Sequence, residues 1–241
     1  MVSPLPLRKH RSGLAVKGRL YRGYGLDFDI AIHPRIHIRI AIDVEAADCC
    51  GGGAAGDSVA TLAAVIDAGV EQPSLVPVVD PDTAAICHER GIGGKVTVNL
   101  GHELDPKWGR SIKVTGSVAT LTDGRFTYVG GIWDSLEANM GPSAVLEIGS
   151  IKVLVSTYAT YDWADEQFRA MGLDPSVSKF IVVKNPMNYR NVYGDIVKAT
   201  YILDTPGPTP VTARSVRFKN LRRPYFPPDK DIPGLAATIY Q

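Results

Sequence analysis

The segment "IHIRIAIDVEAADCCGGGAAGDSVATLAAVIDAG", residues 36–69, constrains the fold of this chain more than any other. Ile36 to Val44 first alternates apolar and polar residues and then shifts toward the composition of a buried strand. Val59 to Ala68 carries Leu62, Val65 and Ile66 at helical spacing, and Gly69 is placed to stop that helix. Between them lie Gly51, Gly52, Gly53 and Gly56. Strand, glycine loop and helix in this order bring backbone N–H groups toward a ligand at a helix N-terminus. The spacing Gly51-x-x-x-x-Gly56-x-Ser58 copies a phosphate-binding loop, except that Asp57 stands at the lysine position. A carboxylate there would repel a polyphosphate, which argues against a nucleotide triphosphate. Two readings stay open. The glycines make a tight turn whose Asp57 or Ser58 caps the next helix, or the loop positions a small anion or a substrate.

The following segments extend the pattern. "SLVPVVD" is a short apolar strand, and "DPDTAAICHERG" starts a helix with Asp80 as N-cap, Pro81 at the first position and Gly91 as terminator. Strand–helix–strand–helix in about fifty residues favours a parallel arrangement with right-handed crossovers. The middle is β-rich: "KVTVNLG", "IKVTGSVATLT", "RFTYVGG", "AVLEIG" and "IKVLVST". Asp123-Gly124 predicts a hairpin between "VATLT" and "RFTYV", and Gly149-Ser150 a second turn. A short helix at "ADEQFRAMG", a buried strand at "KFIVVKN" and a helix at "RNVYGDIVKA" follow, and the regular part ends at "TYILDTPGPTP". The expected fold class is α/β: a mixed sheet with an N-terminal βαβα portion, a β-rich middle and helices packed on the sheet.

Charge and cysteine usage narrow the function classes. The net charge of +1 argues against nucleic acid or a membrane as partner. Residues 1–35 read as an irregular basic arm, expected to be disordered, with Arg8, Lys9, Arg11, Lys17, Arg19, Arg22 and Arg35 against Asp27 and Asp29. The proline-rich, basic end of the chain reads as a surface strap. Cys49, Cys50 and Cys87 show no zinc-ribbon spacing and read as reduced thiols of a cytoplasmic protein. No apolar run is long enough to span a bilayer, and the N-terminus lacks a signal peptide's apolar stretch.

Other candidate residues are scattered. His33 and His37 flank Pro34 in an extended segment that suits no shared metal, and His88 reads as an exposed or capping residue. His102 follows a strand end near Glu103 and Asp105, without any compact H-E-x-x-H cluster. Lys184 ends a buried strand, where it could have a lowered pKa, grip an anion, or snorkel from a sheet edge. Tyr189 and Arg190 could assist in anion binding.

The stretches "DVEAADCCGGGAAGDS", "LDPKWG", "LTDGRFTYVGG", "MGPSAVLEIGSIKVLVST", "DEQFRAMGLDP", "FIVVKN" and "LRRPYFPPD", in this order, resemble the C-terminal domain of the microcystinase C (MlrC) family of metallopeptidases. The expected domain is 36–228, with 229–241 as a tail. The resemblance implies a zinc peptidase acting on linearised peptides, whose zinc ligands lie mostly in a larger N-terminal domain. The expectation is therefore a C-terminal domain without its metal-binding half, inactive alone and holding no metal site. Its peptide substrate is reached only with a catalytic domain, and a homo-oligomer is possible. The alternative is a non-enzymatic module binding an anion or small ligand at Gly51–Ser58. The candidates for substrate or anion binding, or for the domain interface, are Asp48, Gly51, Gly52, Gly53, Asp57, Ser58, His102, Lys184, Asn188, Tyr189 and Arg190. Two positions depart from the family pattern: Cys49-Cys50 replace Asn-Pro before the glycines, and Asn188 replaces a histidine.

Overall fold

The computed structural model describes residues 19–22, 26–29, 40–212, 216, 218–226 and 229–232. Its strands are β1 (Arg19–Arg22), β2 (Leu26–Asp29), β3 (Ala41–Glu45), β4 (Ser74–Val79), β5 (Lys95–Leu100), β6 (Ile112–Thr122), β7 (Arg125–Thr127), β8 (Glu137–Asn139), β9 (Ser143–Ile148), β10 (Ile151–Ser156), β11 (Phe180–Val183) and β12 (Ala199–Asp204). Its α-helices are α1 (Ala60–Asp67), α2 (Pro81–Arg90), α3 (Glu166–Ala170) and α4 (Tyr189–Tyr193). Within the expected basic arm, β1 and β2 pair with each other and β1 pairs with β12, whereas 1–18, 23–25 and 30–39 lie outside the described residues. His33 and His37 fall in that last stretch.

Ten strands form one sheet in the order β2-β1-β12-β3-β11-β4-β10-β9-β6-β5. The centre, β12-β3-β11-β4-β10, is parallel throughout. The pairs outward from β10 to β5 are antiparallel. This is the mixed α/β sheet expected from the sequence. The two strands around the glycine loop are not neighbours, because β11, far later in the chain, lies between β3 and β4. A ligand crevice in an open parallel sheet forms at the carboxyl ends of such separated strands.

Two apolar clusters cover the faces. Leu62 and Val65 of α1 and Ala84 and Cys87 of α2 pack with Val76, Val153 and Val182 on one face. Phe168 and Met171 from the α3 region and Tyr189 and Tyr193 of α4 pack with Ile42, Leu154 and Ile181 on the other. Successive strand residues point to opposite faces, so each strand feeds both layers. The register of β6 shifts between Val118 and Thr120, and Val96, Val98 and Leu100 of β5 join the α1–α2 cluster.

Helix ends follow local chemistry. Asp80 accepts the Thr83 N–H at 2.8 Å, with Pro81 in the first turn and Gly91 as the C-cap. Gly149, at φ 61°, turns β9 directly into β10, as its sequence predicts. The Asp123-Gly124 hairpin is corrected: β6 pairs with β9, and β7 pairs with β8 in a separate two-stranded ribbon. The Met140 N–H bonds the Gly124 carbonyl at 2.8 Å, so the turn folds against the end of β8 instead of reversing the chain along β6. Of the helix expected at 190–199, only Tyr189–Tyr193 forms, because Ala199 enters β12 beside β3.

Candidate functional site

Lys184, the first residue after β11, reaches into the loop that follows β3. Its ammonium donates to Asp48 Oδ2 at 2.6 Å, to the Gly56 carbonyl at 2.8 Å and to the Ser58 carbonyl at 2.9 Å. An ammonium has three protons, and all three are used inside the protein. The Asp48 carboxylate also accepts the Gly56 N–H at 2.9 Å and the Ser58 N–H at 2.8 Å. Asp48 thus occupies the place a bound anion would take in a loop of this type.

Of the readings open for Lys184, a snorkelling side chain and a lowered pKa are corrected, since the residue is buried and its pKa is raised. Burial pulls it down, but Asp48 and Glu45 outweigh burial, and the net shift is upward. Ser58 donates to Glu45 Oε1 at 2.6 Å, leaving Glu45 Oε2 buried without a partner. Asp43 lies on the same strand face, its pKa pushed up to about 7 by burial and then by Glu45. Asp48 and Glu45 therefore act on one lysine, and Asp43 acts on Glu45.

Asp57 does not cap α1. It accepts the N–H groups of Leu104 and Asp105, at 2.9 and 2.8 Å, and fixes the loop after β5. Val59 is the N-cap by position, without a side-chain bond of its own, and Ser58 Oγ accepts the Ala60 N–H at 3.3 Å, so Ser58 and not Asp57 serves the first turn of α1. His102, at φ 56°, sits in the loop fixed by Asp57, with Nε2 3.5 Å from the Val59 nitrogen and Nδ1 buried without a partner.

Close approach requires Gly51, Gly52 and Gly56, whereas Gly53 is set by its φ of 91°. A Cβ at Gly56 would lie 2.7 Å from both Cys50 Sγ and Val79 Cγ2, and one at Gly51 would enter the Tyr161 ring. Gly51, Gly52 and Gly53 are exposed. Cys49 is buried and Cys50 half-buried, and burial pushes the Cys50 thiol up to about 12. Both thiols are free, as is that of Cys87.

Sequence reasoning missed Tyr161 and Asp162. The Tyr161 hydroxyl accepts from Asn188 Nδ2 at 2.9 Å and lies 3.5 Å from Asn185 Oδ1, so Asn188 joins the site through this ring. Asp162 accepts the Lys184 N–H at 2.7 Å, while its Oδ1 is buried without a partner. Burial pushes its carboxyl up to about 7 despite the bond from Lys184. Asp162, Cys50 and Gln167 line a small cavity under the loop. A tyrosine and a carboxylate in the loop after the "IKVLVST" strand were the available signal. Tyr189 is buried in the core, and the exposed Arg190 stacks on it at 5.3 Å. The two do not join the Lys184 cluster through any described hydrogen bond.

Among the described residues, no group of three or more His, Cys, Asp or Glu side chains could hold a metal ion. The carboxylates that converge do so on Lys184, whose positive charge opposes a dication. These residues do not fit zinc.

The family model described as MlrC C-terminus matches residues 44–220. The chain belongs to this family. It is 23% identical over 178 residues to Microcystinase C from Sphingomonas sp, a match covering 73% of this chain and 33% of that protein. A crystal structure from Mesorhizobium sp. BNC1, described as "Putative metallopeptidase", shares the fold with a TM-score of 0.72 and 24% identity, covering 81% of this chain and 39% of that one. The chain thus spans about a third of the length of the curated relative. No described helix is long and apolar enough to cross a membrane.

Proposed function

We propose that this MlrC C-terminal domain is the structural partner of a zinc-bearing peptidase half, and takes part in hydrolysis of linearised peptides only when joined to that half. The observation that carries this reading is the closed state of the Lys184 cluster. A lysine with all three protons bonded and an aspartate filling the glycine loop make a frame, not a reacting centre. Reactivity is further opposed by thiols held protonated through burial. The Mesorhizobium neighbour is described as a metallopeptidase, and most of the length of both relatives is unmatched here. The candidate residues act by holding the carboxyl edge rigid, with exposed Gly51–Gly53 offered to a partner or a substrate. The free cysteines suit a reducing, cytoplasmic setting.

The test is hydrolysis of a linear peptide with added zinc, by this chain alone and with the metal-bearing half of a relative supplied in trans. Turnover is expected only in the second case. Zinc-dependent turnover by the chain alone overturns the proposal.

A further inference from the structure

The carboxyl edge of the sheet carries a second feature, which none of the site chemistry uses. The β7–β8 ribbon and the loop after β10 build a row of rings. Tyr128 and Trp133 are 5.8 Å apart, Trp133 and Tyr161 5.8 Å, and Tyr161 and Trp163 6.2 Å. The row meets the glycine loop where Tyr161 covers Gly51. Around it, large apolar side chains face solvent: Ile132 is 86% exposed, Val129 71% and Met187 73%. Leu136 is exposed beside them. A cluster of aromatic, Met and aliphatic residues on one edge, contiguous with a rigid polar frame, has the composition of an interface core.

We infer that this ledge, centred on Ile132 and Trp133, is the docking surface for the metal-bearing half, and the inference rests on the two-part reading above. The occupant follows from length and from position. About two thirds of the curated relative lies outside the match, and the ledge adjoins the glycine loop, whose tip is exposed and whose base is rigidly framed. Rings already packed against one another lose little side-chain freedom on binding, which suits them to anchor a partner.

The experiment co-expresses the full 241-residue chain, carrying Trp108→Phe, with the unmatched portion of the Sphingomonas relative. Co-purification is expected, with a blue shift of the remaining Trp133 and Trp163 emission. Ile132→Asp with Leu136→Asp should weaken capture at least tenfold. Val177→Asp, exposed before β11 on the opposite edge of the sheet, should leave it unchanged. Circular dichroism of each variant separates lost docking from lost folding. Undiminished capture by the folded double variant overturns the ledge while leaving the two-part reading standing. Absence of capture by the parent chain overturns both. A parent chain that forms dimers broken by the double variant assigns the ledge to a second copy and also overturns the inference.

Discussion

The glycine loop and the β7–β8 ribbon lie side by side, joined by Tyr161, and they are built in opposite ways. The loop is polar and buried beneath its tip: Lys184, Asp48 and four backbone groups satisfy one another, and the Ser58 hydroxyl bonds Glu45. The ribbon is held by backbone bonds and a few side-chain anchors, such as Tyr128 hydroxyl to the Tyr161 carbonyl at 2.6 Å and Val129 N–H to Glu166 at 3.0 Å. At its tip Val129, Ile132 and Leu136 face outward. Breaking the loop should therefore cost folding stability, whereas changing the ribbon tip should cost association and leave folding intact.

The largest effect is expected from Lys184→Met. It leaves Asp48 buried without its countercharge and removes three hydrogen bonds, a loss of about 3–5 kcal/mol. Urea unfolding measures it, and a loss below about 1 kcal/mol would show that the frame does not hold the loop.

Asp43→Asn sharpens the contrast through pH. The folded pKa of Asp43 is pushed up to about 7, above that of an unfolded aspartate. Between the two values the native state keeps a proton that the unfolded chain has released. Stability from this group is therefore greatest at low pH and falls as pH rises to about 7, by at most about 1.4 kcal/mol per pH unit. Asp43→Asn should flatten that slope and stabilise the protein at pH 8. Unfolding curves at pH 5 and pH 8 decide it, and an unchanged slope would mean that Asp43 is not the source.

Tyr161→Phe removes the hydroxyl shared by Asn185 and Asn188 but keeps the ring on Gly51. A loss of about 1 kcal/mol is expected, with the Trp133 environment retained in fluorescence. A loss of several kcal/mol would place Tyr161 in the frame and not at its border. Ile132→Asp should change folding stability least, by no more than about 0.5 kcal/mol. Thermal melts check this, and a collapse of the fold would show the ribbon to be part of the core.

Much of the framework was legible in the chain itself. The strand–loop–helix from Ala41 to Asp67, the Asp80 cap and the β9–β10 turn depend on neighbours within a few residues, so their pattern survives in the sequence. The Asp123-Gly124 turn misled because strand pairing is settled by competition. β9 offered β6 a longer edge than β7 could, and the turn chemistry allowed either outcome. Lys184 was identifiable as a lysine ending a buried strand. Its bonding was not, because Asp48 lies 136 residues away in the chain.

The sequence alone determined that this is an α/β chain with a glycine turn between strand and helix, and its ordered motifs pointed to the MlrC C-terminal domain. Local periodicity, caps and glycines carry that information. Only the tertiary structure decided that β11 enters between β3 and β4. That insertion turns Lys184 from a candidate ligand-binding residue into the closed centre of a frame, and it brings Tyr161 from another loop onto Gly51. Long-range strand order fixes which charges meet, and no short stretch of sequence encodes it.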